Sequence, residues 1–560
     1  MQSKPSRLLR LSYIIVILIC ILPLLPGIAG MILPAFGIIP PLGFYQLSSQ
    51  GFSEVLAWPG VERSLLQSVF SALLSCFMAC MMTFAILQAY WNTRRWQWIE
   101  KLLSPLLALP HVAFAVGFLF LFSDTGWLAR LLHTFITSSW FNSIYSLQDN
   151  SGLALTLALA IKETPFLILM SVPILNNLNI TPTLQMTQSL GYSYSQAWWK
   201  AIFPQWLQHI RFPLFAIMAY SASVVDVSLI LGPTHPPTFA VLVWQWFNDP
   251  DLTLLPRAAA GAFILFLLCS ALIGVIALSE TLLLHHHRAW LVSGRRHAMT
   301  IKPYFLHFLI AVSLCTLPIL LIWSFSLRWS FPNLLPTLWS TRFWVSEWPY
   351  IQQTIITSLS LALISSLFAL ILAIIAQEYR HRFQLHLPMY VIALPMLIPQ
   401  LSILFGLQIT SLWIDQEQYW LWVIWAHLFF AFPYVYLSLD GPWKSYNDSL
   451  SKIAISLGKT PLKVFFTIKL RLLAGAMLFA FAMGMSVSLA QYLPTISLGS
   501  GRIVTLTTEA VALSSGHDRR IVSLYALWQA LLPFAFFMIA MIGNRMLSPT
   551  YRNPTHSQKD

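Results

Sequence analysis

Long apolar segments recur from one end of this 560-residue chain to the other. A helix of about 20 such residues is long enough to cross the hydrocarbon core of a bilayer. Because a segment in lipid must satisfy its own backbone hydrogen bonds, runs of this length predict helices and not strands. The sequence therefore predicts an all-α polytopic membrane protein with about twelve transmembrane helices. The predicted spans are residues 12–40, 62–90, 102–123, 151–175, 212–233, 255–284, 303–325, 352–379, 388–412, 419–439, 473–495 and 521–544.

The composition supports the same fold class. Only 9% of the residues are charged, whereas a soluble chain carries roughly a quarter charged residues. The net charge of +13 could indicate a nucleic-acid partner, but the basic residues are scattered over short loops between apolar segments, as orientation in a membrane requires. We therefore expect a lipid bilayer around the chain and no nucleic acid. All five cysteines fall inside apolar spans, so no disulfide framework is expected.

The distribution of Lys and Arg predicts the orientation of the chain. Cytoplasmic loops carry an excess of these residues, and here they concentrate before the first span and in residues 91–101, 285–302 and 444–471. Both termini are therefore expected to be cytoplasmic. The first apolar run continues past residue 30 without a convincing small-residue cleavage site, which favours an uncleaved first helix over a signal peptide.

The chain reads as two copies of one unit. Three short matches recur in the same order, and each half has six predicted helices, so the two copies have the same orientation. We predict a first repeat over 1–290, a cytoplasmic linker over 291–302 and a second repeat over 303–560. The matches are Ala108-Leu109-Pro110 with Ala393-Leu394-Pro395, Thr164-Pro165-Phe166 with Phe432-Pro433-Tyr434, and Val227-Ser228-Leu229 with Val487-Ser488-Leu489.

The closest match between the halves lies in the polar loops after the fourth and tenth predicted helices. Each loop contains Ser-Leu-Gly, then an aromatic pair, then the start of the next apolar segment. The duplicated spacing favours a shared function over a chance amphipathic loop helix. The residues of interest are Gln185, Gly191, Trp198, Trp199 and Pro204 in the first loop, and Lys452, Ala454, Gly458, Phe465 and Phe466 in the second.

These loops resemble the signature of the membrane subunits of binding-protein-dependent ABC importers: Glu-Ala-Ala, three residues, Gly, and later an apolar-Pro pair. The resemblance implies the type I importer permease fold, with two parallel six-helix repeats on one chain, as in the fused permeases of iron(III) and thiamine importers. It also implies that each loop forms a short helix, a bend and a second helix that docks into one of two copies of a P-loop ATPase subunit. Glycine suits the bend because it adopts backbone conformations that other residues disfavour. The aromatic residues are expected to be apolar anchors of this contact.

The sequence departs from the family signature at several positions. The glutamate position holds Gln185 in the first loop and Lys452 in the second, and Ala454 alone remains of the alanine pairs. The final proline is kept as Pro204 and replaced by Arg471. These departures put a salt bridge from the glutamate position in doubt, though not the docking helix. Residues 492–520 carry a closer resemblance to an uncharacterised subgroup of the family.

The function that the resemblance implies is import across the bacterial inner membrane of a small solute delivered by a periplasmic binding protein. ATP hydrolysis is expected on a separate subunit, so the chain itself is not expected to be an enzyme. Gly458-Lys459-Thr460 looks like the end of a P-loop, but the required first glycine is Ile453. The three histidines 285–287 could bind a metal, yet no carboxylate or cysteine joins them. We expect no metal and no cofactor.

Two other function classes compete with this one. A twelve-helix secondary transporter driven by an ion gradient would explain the topology and the duplication equally well, but not the matched loops. A polytopic membrane enzyme is disfavoured because no acidic pair, metal cluster or nucleophile-base set stands out near a membrane face.

Three ionisable residues are predicted to lie deep in the membrane: Lys162 and Glu163 in the fourth span, and Asp226 in the fifth. Charges at such depth cost at least about 2.5–3.5 kcal/mol, so they are usually paired or functional. Adjacent helix residues point about 100° apart, so Lys162 and Glu163 cannot both face one partner. Two roles for these charges remain open. Lys162 and Asp226 could form an ion pair that only tethers two helices, or the charges could take part in substrate passage.

Overall fold

The computed structural model describes residues 7–135, 151–286, 288–291, 293–294, 304–383, 389–413, 418–516 and 518–547. Most of the predicted linker, residues 291–302, and one of its flanking histidines lie outside the described residues.

The first half is built from helices with short breaks at proline and glycine. A π-helix, Trp198–Ile202, joins α10 to α11, and 3-10 turns occur at Pro40–Leu42 and Leu252–Leu254. The helices are α1 (Arg7–Cys20), α2 (Leu24–Ala35), α3 (Gln50–Leu56), α4 (Val61–Tyr90), α5 (Trp96–Ala108), α6 (His111–Phe122), α7 (Trp127–Phe135), α8 (Leu153–Asn177), α9 (Ile180–Ser189), α10 (Tyr194–Ala197), α11 (Phe203–Ser223), α12 (Asp226–Leu231), α13 (Phe239–Phe247), α14 (Leu255–His286) and α15 (Arg288–Leu291).

From the long helix before its polar loop onward, the second half has the same succession of helices, apart from one additional break. Its π-helix is Phe465–Lys469, and a two-stranded antiparallel ribbon of β1 (Ser326–Arg328) and β2 (Leu338–Trp339) follows its first helix. The helices are α16 (Tyr304–Phe325), α17 (Arg342–Phe383), α18 (Met389–Ile392), α19 (Leu394–Leu397), α20 (Gln400–Ser411), α21 (Tyr419–Ser445), α22 (Asp448–Ser456), α23 (Pro461–Val464), α24 (Leu470–Leu472), α25 (Ala474–Ala490), α26 (Leu493–Leu498), α27 (Leu506–Ser514) and α28 (Arg519–Leu547).

The predicted fold class, an all-α polytopic membrane protein, is confirmed, but a count of twelve spans is not established. Within the described residues, nine helical segments are long and apolar enough to cross a membrane. A tenth is added if the segments Pro461–Leu472 and Ala474–Ala490, bent by 72°, form one crossing. The predicted spans 212–233 and 388–412 are not among these segments, and the structure interrupts both. The first is divided between α11 and α12, and the second among α18, α19 and α20.

The two halves share one register across the polar loops and the helices that follow them. Gly191, Gly232 and Thr238 correspond to Gly458, Gly499 and Thr505, each 267 positions later. The backbone agrees with this register. Val224, directly after α11, has a ψ of 128°, and its counterpart Gln491, directly after α25, has a ψ of 118°.

Two of the three short sequence matches were aligned in the wrong register. In the structure Val227 corresponds to Pro494, and not to Val487, because both lie one residue after the start of the short helix. Pro110 immediately precedes α6 just as Pro399, and not Pro395, immediately precedes α20. The second Ala-Leu-Pro overlaps α19, an additional short turn that precedes α20.

Helices at the start of each half, α2 in the first and α16 in the second, pack on the other half. A Cβ atom on Gly406 of α20 would lie 1.7 Å from the Gly27 carbonyl oxygen of α2, so the two backbones touch. In the counterpart contact, a Cβ atom on Gly117 of α6 would lie 2.8 Å from the Cβ atom of Thr316 in α16. Small residues permit such close approach of helices in membranes. The two halves are therefore interlocked by an exchange of their first helices.

A hydrogen bond inside each half repeats as well. The Ser68 hydroxyl in α4 accepts from the backbone N–H of Phe239 at 2.8 Å, and the Ser358 hydroxyl in α17 accepts from that of Leu506 at 2.9 Å. Phe239 and Leu506 are the first residues of α13 and α27, whose amide groups have no partner within their own helix. Each long helix therefore caps the short helix on the side of the molecule opposite the polar loops.

Candidate functional site

Each polar loop forms a helix, a glycine bend and a second short helix. The bend glycines, Gly191 and Gly458, have φ values of +81° and +85°, which L-residues rarely adopt. The second helix begins in both loops at a hydroxyl cap: the Ser193 side chain accepts from Gln196 N at 3.3 Å, and the Thr460 side chain accepts from Lys463 N at 3.4 Å. Capping fixes the helix start and therefore the direction of the chain after the bend.

The aromatic pair is arranged differently from the prediction. Trp198 is fully buried, and its ring lies 6.0 Å from that of Phe84 in α4, so it cannot anchor a partner protein. Trp199 is half-buried against the same Phe84 ring at 4.7 Å. In the second loop Phe465 is half-buried and Phe466 is exposed. The first aromatic of each pair therefore attaches the loop to the membrane helices.

In each loop, the helix before the glycine bend carries motif residues, and these differ in exposure. Gln185 and Lys452, at the glutamate position of the signature, are both exposed, and Ala454 is buried. Pro204 is the second residue of α11, directly after the π-helix Trp198–Ile202. The polar position of the motif is therefore available to a partner, whereas the surviving alanine packs inward.

Sequence reasoning missed a pair of exposed apolar residues on each loop helix. Met186 and Leu190 in the first loop are 69% and 63% exposed, and their counterparts Ile453 and Leu457 are 56% and 77% exposed. Residues four apart share one face of a helix. The signal was present in the sequence as two apolar residues, four apart, at equivalent positions of both loops. Each loop therefore presents the same apolar patch to the solvent.

The second loop is attached to the membrane helices by a buried ion pair. Lys469, at the end of the π-helix, has its Nζ 2.8 Å from the Glu378 Oε2 of α17, and the two side chains are 5% and 6% exposed. The ring of Trp443 in α21 lies 5.2 Å from the same ammonium group. In the first loop, Ser195 Oγ accepts a hydrogen bond of 3.0 Å from the Gln88 side chain of α4. Each loop is thus connected to the corresponding long helix of its own half.

The intramembrane charges have partners other than those proposed from the sequence. Lys162 Nζ donates to the Leu106 carbonyl at 2.9 Å, and Glu163 Oε1 lies 3.0 Å from His111 Nε2. The Lys162–Asp226 ion pair does not occur among the described residues, so that interpretation was wrong. The side chains of Lys162 and Glu163 do take different partners, as expected for adjacent positions on a helix.

Asp226 lies in a polar cluster between the halves. It is the first residue of α12, directly after the break that ends α11, so it does not continue that helix. The His111 ring lies 4.8 Å from that of Tyr220, and both His111 and Tyr492 interact electrostatically with Asp226. Tyr492 belongs to the second half, where it precedes α26. The cluster was not predicted because its members are distant in sequence.

The cluster contains groups that are only partly covered although they lie within the helical bundle. The His111 side chain is 33% exposed, and Tyr220 and Asp226 are half-buried. Polar groups that remain partly exposed at this depth line an aqueous space more often than they face lipid. Among the described residues, no three His, Cys, Asp or Glu side chains are grouped closely enough to hold a metal.

No protein-family model matches the chain. It is 32% identical over 526 residues to the inner membrane ABC transporter permease protein YnjC of Escherichia coli, covering 93% of each chain. The chain belongs to the ABC transporter permease family. It is also 23% identical over 464 residues to the thiamine transport system permease protein ThiP of Haemophilus influenzae, covering 79% of this chain and 80% of ThiP.

Membership of the ABC permease family confirms the resemblance inferred from the paired loops. This permease is a multi-pass protein of the inner membrane, as its apolar helices and its similarity to YnjC indicate. The similarity extends over nearly the whole chain, so both halves, and not only the loops, belong to the permease.

Proposed function

We propose that this permease is the transmembrane subunit of an importer, and that one copy of a P-loop ATPase subunit docks on each polar loop. The observation that carries the proposal is the exposed apolar pair at the same positions of both loops, Met186 and Leu190 in one and Ile453 and Leu457 in the other. Two equivalent patches on one chain suit two identical partners. In this arrangement the loops and both termini are cytoplasmic, in agreement with the distribution of Lys and Arg.

The attachment of the loops explains how ATPase movement would reach the membrane. When the two ATPases close on ATP, the loops approach each other and pull on the helices to which they are fastened. The first loop pulls on α4 through Ser195 and Gln88, and the second pulls on α17 through Lys469 and Glu378. The halves, proposed as residues 1–290 and 303–560, then rock about their interface and open the pathway alternately to each side.

The proposed pathway passes the polar cluster between the halves. Glu163, His111 and Asp226 come from the first half, and Tyr492 comes from the second, so relative movement of the halves changes the spacing within the cluster. A periplasmic binding protein would deliver a small solute to the outer loops, which include residues 41–60, 234–254, 326–350 and 496–520. The name of ThiP supports a solute of the size of thiamine without identifying it.

An ion-coupled secondary transporter is the alternative that the sequence left open. It assigns no role to exposed apolar patches repeated at one spacing in two loops, and the relatives are named as ABC or transport-system permeases. The importer is therefore the better supported function.

The test is purification of the permease from its native membranes, followed by native mass spectrometry of the intact complex. We expect two copies of one P-loop ATPase for each permease chain. Replacement of the first apolar residue of each patch, Met186→Asp with Ile453→Asp, should release both copies of the ATPase, because a charge is placed in an apolar contact. The control is Leu338→Asp, which changes an exposed leucine on the outer ribbon.

Two results would contradict the proposal. One is a parent permease that carries no ATPase, and the other is a double variant that retains both copies. A normal yield of monodisperse double variant would show that the loss of ATPase is not caused by misfolding.

A further inference from the structure

An open cavity of about 470 Å3 lies on the side of the molecule opposite the polar loops. Three chain segments line it: the turn after α6 together with α7, the stretch from the end of α16 through β1 to Phe331, and the start of α28 with the preceding Asp518. The other end of α28 marks the loop side, because Asn544 there contacts Gly475 at the start of α25. The cavity is therefore at the outer helix ends if the loops are cytoplasmic.

The lining of the cavity is strongly basic. It contains four arginines, Arg130, Arg328, Arg519 and Arg520, and Asp518 is the one acidic residue among its described lining. Asp124 interacts electrostatically with Arg519 but does not line the cavity. The described lining therefore carries a clear excess of positive charge.

Two of the four arginines already donate hydrogen bonds to acceptors of the chain itself. Arg130 is buried, and it donates to the carbonyl groups of Thr125 at 3.0 Å, and of Ser330 and Asn333 at 2.9 Å. Arg520 donates to both oxygens of Asp518 at 2.8 Å and to the Leu327 carbonyl at 3.0 Å. These two side chains build the wall of the cavity.

Asp518 is committed to Arg520 and cannot also neutralise the other arginines. Burial acts to raise the pKa of the Asp518 carboxyl, but the hydrogen bonds and charge of Arg520 outweigh it and hold the pKa below its ordinary value. The carboxylate is therefore ionised at neutral pH, and both of its oxygens accept from Arg520.

Arg519 and Arg328 are the other two arginines of the cavity lining. Arg519 stacks over the rings of Phe120 and Trp323, with its guanidinium carbon 5.6 Å and 5.3 Å from the ring centres. Within the described part of the chain, neither guanidinium group has a hydrogen-bond acceptor. Arg519 also repels Arg130. A planar group with five N–H donors, held in place among like charges, is arranged to meet an anion.

We propose that this cavity binds an oxyanion of the phosphate class through Arg519 and Arg328. Guanidinium groups bind phosphate oxygens bidentately, and the aromatic rings hold the Arg519 plane in one orientation. Two sources share this chemistry: free phosphate in solution and the phosphate of an anionic phospholipid headgroup. The second fits the position of the cavity, since it lies at helix ends beside Trp323 and Trp329, and tryptophans mark the headgroup level.

The test uses purified full-length permease and two probes. Sodium phosphate is titrated by calorimetry against permease in a non-ionic detergent, and native mass spectrometry measures retention of dioleoyl phosphatidylglycerol against dioleoyl phosphatidylcholine. Saturable binding of inorganic phosphate would identify free anion as a ligand. Preferential retention of phosphatidylglycerol without phosphate binding would identify the headgroup.

Arginine variants connect either result to the cavity. Arg519→Gln and Arg328→Gln should each weaken binding about tenfold, as expected for loss of charge-assisted hydrogen bonds. Arg519→Lys keeps the charge but loses the bidentate geometry, so it should also bind more weakly than the parent. The control is Arg342→Gln, an exposed arginine at the start of α17 that does not line the cavity.

The proposal is overturned if the parent binds neither probe, or if both glutamine variants bind as tightly as the parent. Arg328 is exposed, so Arg328→Gln provides the test even where Arg519→Gln fails to fold. Equal weakening by Arg342→Gln would also overturn it, because the effect would then reflect the charge of the whole surface.

Discussion

Replacing Lys469 with methionine should destabilise the permease strongly. Lys469 is buried at the end of the second loop, and its removal leaves the Glu378 carboxylate, itself 6% exposed, without the buried cation that bonds its Oε2. Breaking a buried ion pair by removing one partner costs about 3–5 kcal/mol, because a charge remains buried without compensation. Arg382 still bonds the other Glu378 oxygen, so we expect a loss near the lower limit, about 3 kcal/mol.

The chain supplies a matched control in Lys444. Its ammonium group lies 2.6 Å from Asp440, whose other oxygen is bonded by Arg380, so the pattern of one carboxylate between two cations is the same. The Lys444 side chain, however, is 58% exposed. Exposed ion pairs contribute at most about 1 kcal/mol, so Lys444→Met should change stability by no more than that. Burial is then the main difference between the two substitutions.

The measurement is the free energy of unfolding in mixed micelles, obtained by titration with sodium dodecyl sulfate and followed by tryptophan fluorescence. A second variant, Lys469→Met with Glu378→Leu, removes both buried charges and should recover most of the lost stability. The reasoning is refuted if Lys469→Met is as stable as Lys444→Met. It is also refuted if removal of both charges destabilises the protein further.

Three other outcomes are expected. Gly458→Val should uncouple ATP hydrolysis from transport while leaving the protein folded, since a left-handed backbone costs about 1–2 kcal/mol for a residue with a Cβ atom. The control Gly274→Val, in open space within α14, should remain coupled, and equal activity of the two variants would contradict this. The changes in unfolding free energy caused by Lys162→Met and Asp226→Leu should add to within about 0.5 kcal/mol, because the two side chains do not pair. A larger coupling energy in a double-mutant cycle would show that they do pair. A cysteine at position 94 should be labelled only by reagents that enter the cytoplasm, and labelling from outside intact cells would reverse the proposed orientation.

The sequence predicted the features that depend on local pattern. Each loop was found from a spacing of a few residues, and the structure places Gly191 and Gly458 in the left-handed conformation that only glycine adopts easily. Long apolar runs likewise predicted helices, because backbone hydrogen bonding in lipid leaves no other local solution. What was predicted correctly therefore required no knowledge of which helices are neighbours.

The errors concern contacts between residues distant in sequence. Glu163 pairs with His111, and nothing in the sequence around either residue indicates the other. The predicted Lys162–Asp226 pair assumed that the fifth span is one continuous helix through residue 226, whereas α11 ends at Ser223. A short tripeptide can also recur by chance at positions that are not equivalent. The correct alignment of the two halves therefore required the positions of the helix breaks, which the structure supplies.

The exposure of Trp198 could not be read from the loop sequence either. Its large apolar ring was compatible with docking on a partner or with packing on the membrane helices. The choice depends on Phe84, which lies more than a hundred positions earlier and is itself fully buried. The smaller residues Met186 and Ile453 were therefore overlooked in favour of a more conspicuous aromatic pair.

The exchange of first helices between the halves imposes an order on biosynthesis. Gly30 and Gly406 touch in the finished protein, but they are 376 residues apart in the chain. At about 5–20 residues per second, the ribosome needs roughly 20–75 s to make the second contact surface after the first. During that time α2 must reside in the bilayer with its glycine face against lipid or an accessory protein. The helix that enters the membrane first is thus among the last to reach its final neighbour, and the nascent chain remains open to misassembly until α20 has been inserted.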